Sequence, residues 1–121
     1  MAKTDYFSQG KKLYDEKNFL KSKFKFEQDI VFNPKNEKSY LYLAKIYKKK
    51  NNTELEEKHL KTVLLLNPKN EEAIYELAML NISKSDFSGA SSLLEKFEKL
   101  CKNLCFKKQI IQNKLKDSLK R

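Results

Sequence analysis

Asn33-Pro34-Lys35-Asn36-Glu37 returns letter for letter as Asn67-Pro68-Lys69-Asn70-Glu71, 34 residues later. Sliding the whole chain by 34 aligns Tyr6 with Tyr40 and Ile74, and Gly10 with Ala44 and Ala78. The same shift aligns Phe26 with Leu60 and Leu94, and Phe32 with Leu66 and Leu100. Chance could yield one repeated pentapeptide, but it would not also keep bulky residues with bulky and small with small. The chain is therefore an internal repeat.

Each unit reads as two helices. Between Glu37 and Lys50 the residues Tyr40, Leu43, Ala44 and Tyr47 recur at i, i+3, i+4, i+7 and make one apolar stripe. Asn51-Asn52-Thr53 breaks the pattern, and Glu54 to Leu66 carries a second stripe of Leu55, His59 or Leu60, Val63 and Leu66. Asn36 and Asn70 stand where a helix N-cap is wanted, with Glu37 and Glu71 facing the positive helix end. Pro34 and Pro68 stop the preceding helices, because a residue before proline avoids α geometry. A single helix cannot bury its own stripe, so hairpins must stack, and Gly10, Ala44 and Ala78 allow close approach.

Period 34, a helix–turn–helix unit, an early aromatic, a small residue four positions on and a closing proline resemble the tetratricopeptide repeat family. The resemblance spans about Lys3 to Leu104. It implies an all-α, right-handed superhelix of three hairpins, residues 3–36, 37–70 and 71–104, with a capping helix over 105–120, all in one domain. Some positions depart from the pattern. Asn81 is polar where Leu13 and Tyr47 are not, Glu56 replaces small Ser22 and Ala90, and Asp29 replaces apolar Val63 and Phe97. Those slots are expected to pack less well or to face a neighbour differently. The third unit ends in Lys102 rather than Pro. A break near Asn103 is favoured over one continuous rod, and Ile111, Leu115 and Leu119 give the tail its apolar face.

Composition narrows the function classes. With 121 residues the chain makes one domain of ordinary size, and only 2 Gly and 2 Pro suit long helices with short connections. Eight Phe and six Tyr argue against a disordered tail. The longest purely apolar run is Val63 to Leu66, far short of a membrane span, and Met1 to Gly10 lacks a signal-peptide core, so a cytoplasmic location is expected. The net charge of +10 comes from 25 Lys and a single Arg, Arg121. Proteins that read bases lean on the planar fork of Arg, and ten accompanying Asn fit a compositional bias, so nucleic acid is disfavoured as a partner.

No catalytic constellation emerges, and the chain is read as a non-enzyme with no cofactor and no metal. His59 is the only histidine and shares an inward face with Leu55 and Leu60. Cys101 and Cys105 lie four apart, neither the spacing of a redox pair nor the four-ligand set of structural zinc. Free buried thiols are expected of them. Gly10 and Gly89 are too isolated to cradle a phosphate.

In the family this chain resembles, the first helix of each hairpin lines a concave groove for a partner's segment. Carried over, that implies Phe7, Lys11 and Tyr14, then Lys38, Leu41, Tyr42, Lys45 and Lys49, then Tyr75 and Met79, with Glu72, Glu76 and Ile82 beside them. The implied trough has an aromatic floor, is basic in the middle and is acidic toward Glu72 and Glu76. A protein segment with acidic and apolar residues suits it. A chaperone C-terminal tail does not: the clamp positions fall on Phe7, Lys11, Tyr42, Glu72 and Glu76, two of them with the wrong sign. The alternatives are an anionic polymer, nucleic acid or lipid headgroups, held by the lysines, and self-assembly into a weak homo-oligomer.

Overall fold

The computed structural model describes residues 5–120. In chain order they form α1 (Tyr6–Asp15), α2 (Phe19–Phe32), α3 (Glu37–Lys49), α4 (Thr53–Leu66), α5 (Glu71–Ser83), α6 (Phe87–Leu100), a short 3-10 turn (Cys105–Lys107) and α7 (Lys108–Leu119). No strand occurs among the described residues. The chain divides into two compact units, Met1–Leu66 and Asn67–Arg121.

Repeated local chemistry sets the helix ends. Lys17, Asn51 and Ser85, each 34 apart, take φ of 63°, 58° and 62° and turn the chain between the helices of each hairpin. Asn18, Asn52 and Asp86 follow immediately. Their side-chain oxygens accept the N–H of Lys21, Leu55 and Gly89 and so cap α2, α4 and α6. Asn36 and Asn70 cap α3 and α5 as expected, accepting the N–H of Lys38 and Ala73.

In the first unit α1 pairs with α2, α3 with α4, and α2 packs against α3. Phe26, Leu43 and Ile46 are fully buried at its centre and Tyr47 lies beside them. Gly10 permits the α1–α2 approach, since a Cβ there would fall 2.9 Å from the Phe26 ring. Ser22 reinforces the contact by donating its hydroxyl to the Gly10 carbonyl at 2.7 Å.

Three of the odd positions are buried rather than loosely packed. Asp29 accepts from Asn33 Nδ2 at 3.0 Å, from Asn36 Nδ2 at 2.8 Å and from the Ser39 hydroxyl. A polar knot thus ties α2 to the start of α3 where other units use apolar packing. Glu56, in the first turn of α4, and Asn81, in the last turn of α5, are likewise buried. Phe32 departs in the other direction: it is exposed and stacks on Tyr6, with ring centres 5.7 Å apart.

In the second unit α5 pairs with α6, and α7 packs against both. Ile111 and Leu115 are the buried residues of α7, whereas Leu119, expected on the same face, is exposed. The break before α7 falls where it was expected. Helix α6 ends at Leu100 and Cys101 is extended, with ψ of 143°.

The expectation of free thiols is corrected: Cys101 and Cys105 form a disulfide. Because α6 stops before Cys101, the segment folds back on itself and brings the two Cα atoms to 5.2 Å, within bridging range. No helix among the described residues is long and apolar enough to cross a membrane.

Candidate functional site

Five of the expected groove residues, Phe7, Tyr14, Tyr42, Lys45 and Lys49, gather in the first unit, around Tyr42 of α3 and its neighbour Phe19. The Tyr42 ring stacks on Phe26 at 4.9 Å and 6°. Phe7 and Tyr14 of α1 meet it edge-on, at 6.0 Å and 5.0 Å. Lys45, one turn along α3, lies 5.1 Å over the same ring. Phe19 at the start of α2 extends the cluster through an edge contact with Tyr14, and Lys49 sits 5.1 Å over Phe19. Phe7, Tyr14, Phe19 and Tyr42 are all half-buried. Each combines a fixed inner edge with an outer one that a ligand can reach, and ring–ring contacts hold the set rigid.

The remaining expected residues lie elsewhere. Lys11 is exposed in a shallow depression with Ser8, Lys12, Asp15 and Glu16. Lys38 is exposed in the first turn of α3. Leu41 is 8 % exposed and belongs to the interior, so its expected place in a groove is corrected: α3 buries residues on more than one side, and Leu41 is among them. Tyr75 and Met79 are half-buried on α5 of the second unit, and Lys107 lies 4.4 Å over the Tyr75 ring.

Two features escaped the sequence reading. Phe19 joins the aromatic cluster from the second helix of a hairpin, a helix not expected to line the groove. The other is a depression of about 550 Å³ on the first hairpin, lined by Leu13, Phe24 and Val31 among Lys21, Lys25 and Glu27. Leu20, Phe24 and Val31 lie at i, i+4 and i+11 along α2, a spacing that could have revealed this second apolar stripe.

His59 is a packing residue. Its ring lies 5.3 Å from Tyr47 and 6.1 Å from Tyr40, and Nδ1 donates to the Leu55 carbonyl at 2.8 Å. Burial lowers its pKa below the usual 6.5, outweighing the rise from the Leu55 hydrogen bond, so the neutral ring is favoured.

Glu71, at the start of α5, takes up an unexpected task. Its carboxylate accepts the N–H groups of Lys102, Asn103 and Leu104 in the segment before α7. Partial burial would raise its pKa, but these N–H groups and the Lys102 charge hold it below the usual 4.5. Glu71, Cys101 and Cys105 also place their ligand atoms within 4.8 Å of one another. The two sulfurs are bonded to each other, which leaves no thiolate for a metal.

No protein-family model matches the chain, and no curated protein does. Solved structures do. The first tetratricopeptide repeat domain of RPAP3, bound to the HSP90 peptide SRMEEVD, superposes with a TM-score of 0.85 at 15% identity, over 96% of this chain and 91% of that one. The Yersinia enterocolitica type III secretion chaperone SycD, in complex with a peptide of the translocator YopD, gives 0.79 at 15% identity, over 93% and 88%. The repeat domain of Sgt2 from Aspergillus fumigatus gives 0.73 at 17% identity, over 95% and 75%. The fold is that of tetratricopeptide repeat domains.

Proposed function

We propose that this chain, an all-α domain with the tetratricopeptide repeat fold, is a non-enzymatic interaction module. Its first unit holds a partner segment with acidic and apolar side chains against α1 and α3. The observation that carries this reading is the half-buried aromatic cluster of Phe7, Tyr14, Phe19 and Tyr42, with Lys45 and Lys49 over two of its rings. Such rings supply area at low entropic cost, and interface energy concentrates in aromatic anchors of this kind. Lysines at the rim chiefly set the association rate and the sign of the partner's charge.

The RPAP3 domain and SycD each bind a peptide in the solved complexes, which supports a peptide-like ligand on this fold. The particular ligand of RPAP3 suits this chain poorly. Phe7, Lys11 and Tyr42 do not reproduce the polar clamp for a terminal carboxylate, and Glu72 and Glu76 carry the opposing sign.

The test is fluorescence anisotropy with a panel of short peptides rich in Asp, Glu, Leu and Phe, run beside SRMEEVD. Tyr42→Ala should weaken the tightest acidic peptide by about tenfold or more, about 1.4 kcal/mol, through faster dissociation. Lys45→Glu with Lys49→Glu should slow association instead. SRMEEVD should bind no better than a scrambled control. Binding that survives Tyr42→Ala yet collapses at about 0.3 M salt would mark a ligand held by charge alone and would overturn the reading.

A further inference from the structure

The segment between α6 and α7 lies against one face of α5, and two separate contacts fix it there. Glu71 and Tyr75 are one turn apart and so share that face. At the Glu71 end, the carboxylate collects the N–H groups of Lys102, Asn103 and Leu104. At the Tyr75 end, the Lys107 ammonium lies 4.4 Å over the ring. Between them the Cys101–Cys105 disulfide closes the segment into a small loop. A chain of five residues has many conformations, and the cross-link removes most of them.

We infer that the Cys101–Cys105 pair is a redox-controlled latch that keeps Lys107 over Tyr75 when oxidised and releases the ring when reduced. The latch lies in the second unit, apart from the first-unit aromatic cluster that carries the interaction reading above. The covering of the ring itself does not depend on that reading.

The chemistry is thiol–disulfide exchange with a low-molecular-weight thiol. Cys105 is exposed and Cys101 half-buried, so the incoming thiolate attacks Cys105 Sγ. The S–S bond breaks, Cys101 Sγ leaves with the electron pair and takes up a proton, and a mixed disulfide remains on Cys105. A second thiolate attacks the small-molecule sulfur of that mixed disulfide. It releases Cys105 as a thiol and forms the disulfide of the small molecule. The protein pair is reduced by two electrons, two molecules of the thiol are oxidised, and the reverse sequence closes the latch.

Reduction leaves α7 in place, because Ile111 and Leu115 anchor it independently of the loop. The Glu71 hydrogen bonds still hold the start of the segment. What is lost is the constraint on Cys105 and, two residues on, on Lys107. The ammonium then spends part of its time in water, where a lysine is strongly hydrated, and the Tyr75 face opens.

The test uses the full chain and needs no partner. Tyrosine nitration is mapped by peptide mass spectrometry in the oxidised protein and in Cys101→Ser/Cys105→Ser, which cannot form the bond and has no thiol to consume the reagent. Tyr75 should react roughly five times faster in the double variant, as expected for a locally opened segment, while Tyr40 in the other unit keeps its rate. In the disulfide-bonded protein, Lys107→Ala should make Tyr75 as reactive as it is in the double variant. Hydrogen exchange should show residues 102–107 less protected once the wild-type protein is reduced by dithiothreitol. Equal Tyr75 rates in the oxidised protein and the double variant would overturn the latch, as would a pair that stays reduced in oxidised glutathione. Partner binding that fails while Tyr75 still opens on reduction would count against the interaction reading and leave the latch standing.

Discussion

Lys17, Asn51 and Ser85 occupy the same turn of three successive hairpins, and all three adopt left-handed backbone conformations. Only Asn51 is a residue type that enters this region readily, because its short polar side chain bonds locally. Lys17 and Ser85 carry a steric cost that glycine would not. Replacing either by Gly should therefore raise stability by about 0.5–1 kcal/mol, seen as a higher thermal midpoint by calorimetry, whereas Asn51→Gly should change little. A fall in midpoint for Lys17→Gly would mean that flexibility added to the unfolded chain outweighs the relief of strain. Of the three positions only Asn51 stands out by residue type. Their common role is visible only through the 34-residue spacing. Asp29 is a similar case. Its charge looks misplaced in an apolar slot until Asn33, Asn36 and Ser39 are seen to meet it in the fold.

At the scale of helices, the hairpins were legible because apolar stripes and Asn caps agree in phase. The sequence pattern placed a helix over Glu37 to Lys50, and α3 runs Glu37–Lys49. The junction before α7 was harder to read. No Pro or Gly marks it, and the groups that organise it, Glu71 and the segment at Lys102 to Leu104, are 31 to 33 residues apart in sequence. Local pattern carries no trace of a cap so distant. The disulfide was missed for the same reason, since its geometry depends on α6 having already ended. Helix α7 rests on Ile111, which is fully buried between α7 and the hairpin beneath it. Ile111→Ala should cost roughly 2–4 kcal/mol of unfolding free energy in urea titrations. Leu119→Ala, at an exposed position, should cost less than about 0.5 kcal/mol. Equal and small losses for the two would show that α7 does not cover the hairpin.

For the molecule as a whole, the fold was legible from a repeated pentapeptide and its period, and solved structures with 15% to 17% identity share it. Such agreement arises because hairpin geometry depends on the size and polarity of recurring positions, which unrelated residues can satisfy. The candidate site was less legible. Helix periodicity distinguishes inner from outer faces but does not settle which half-buried ring packs against which. It therefore placed Leu41 in the groove and overlooked Phe19. The central claim is that the aromatic face of α1 and α3 receives an acidic, apolar segment. The most direct measurement is amide chemical-shift mapping of the ¹⁵N-labelled chain, titrated with the tightest peptide of the panel. The account predicts that the largest shifts fall at Phe7, Tyr14, Phe19, Tyr42, Lys45 and Lys49. Shifts centred instead on Leu20, Phe24 and Val31 would contradict it and assign the binding to the outer face of α2.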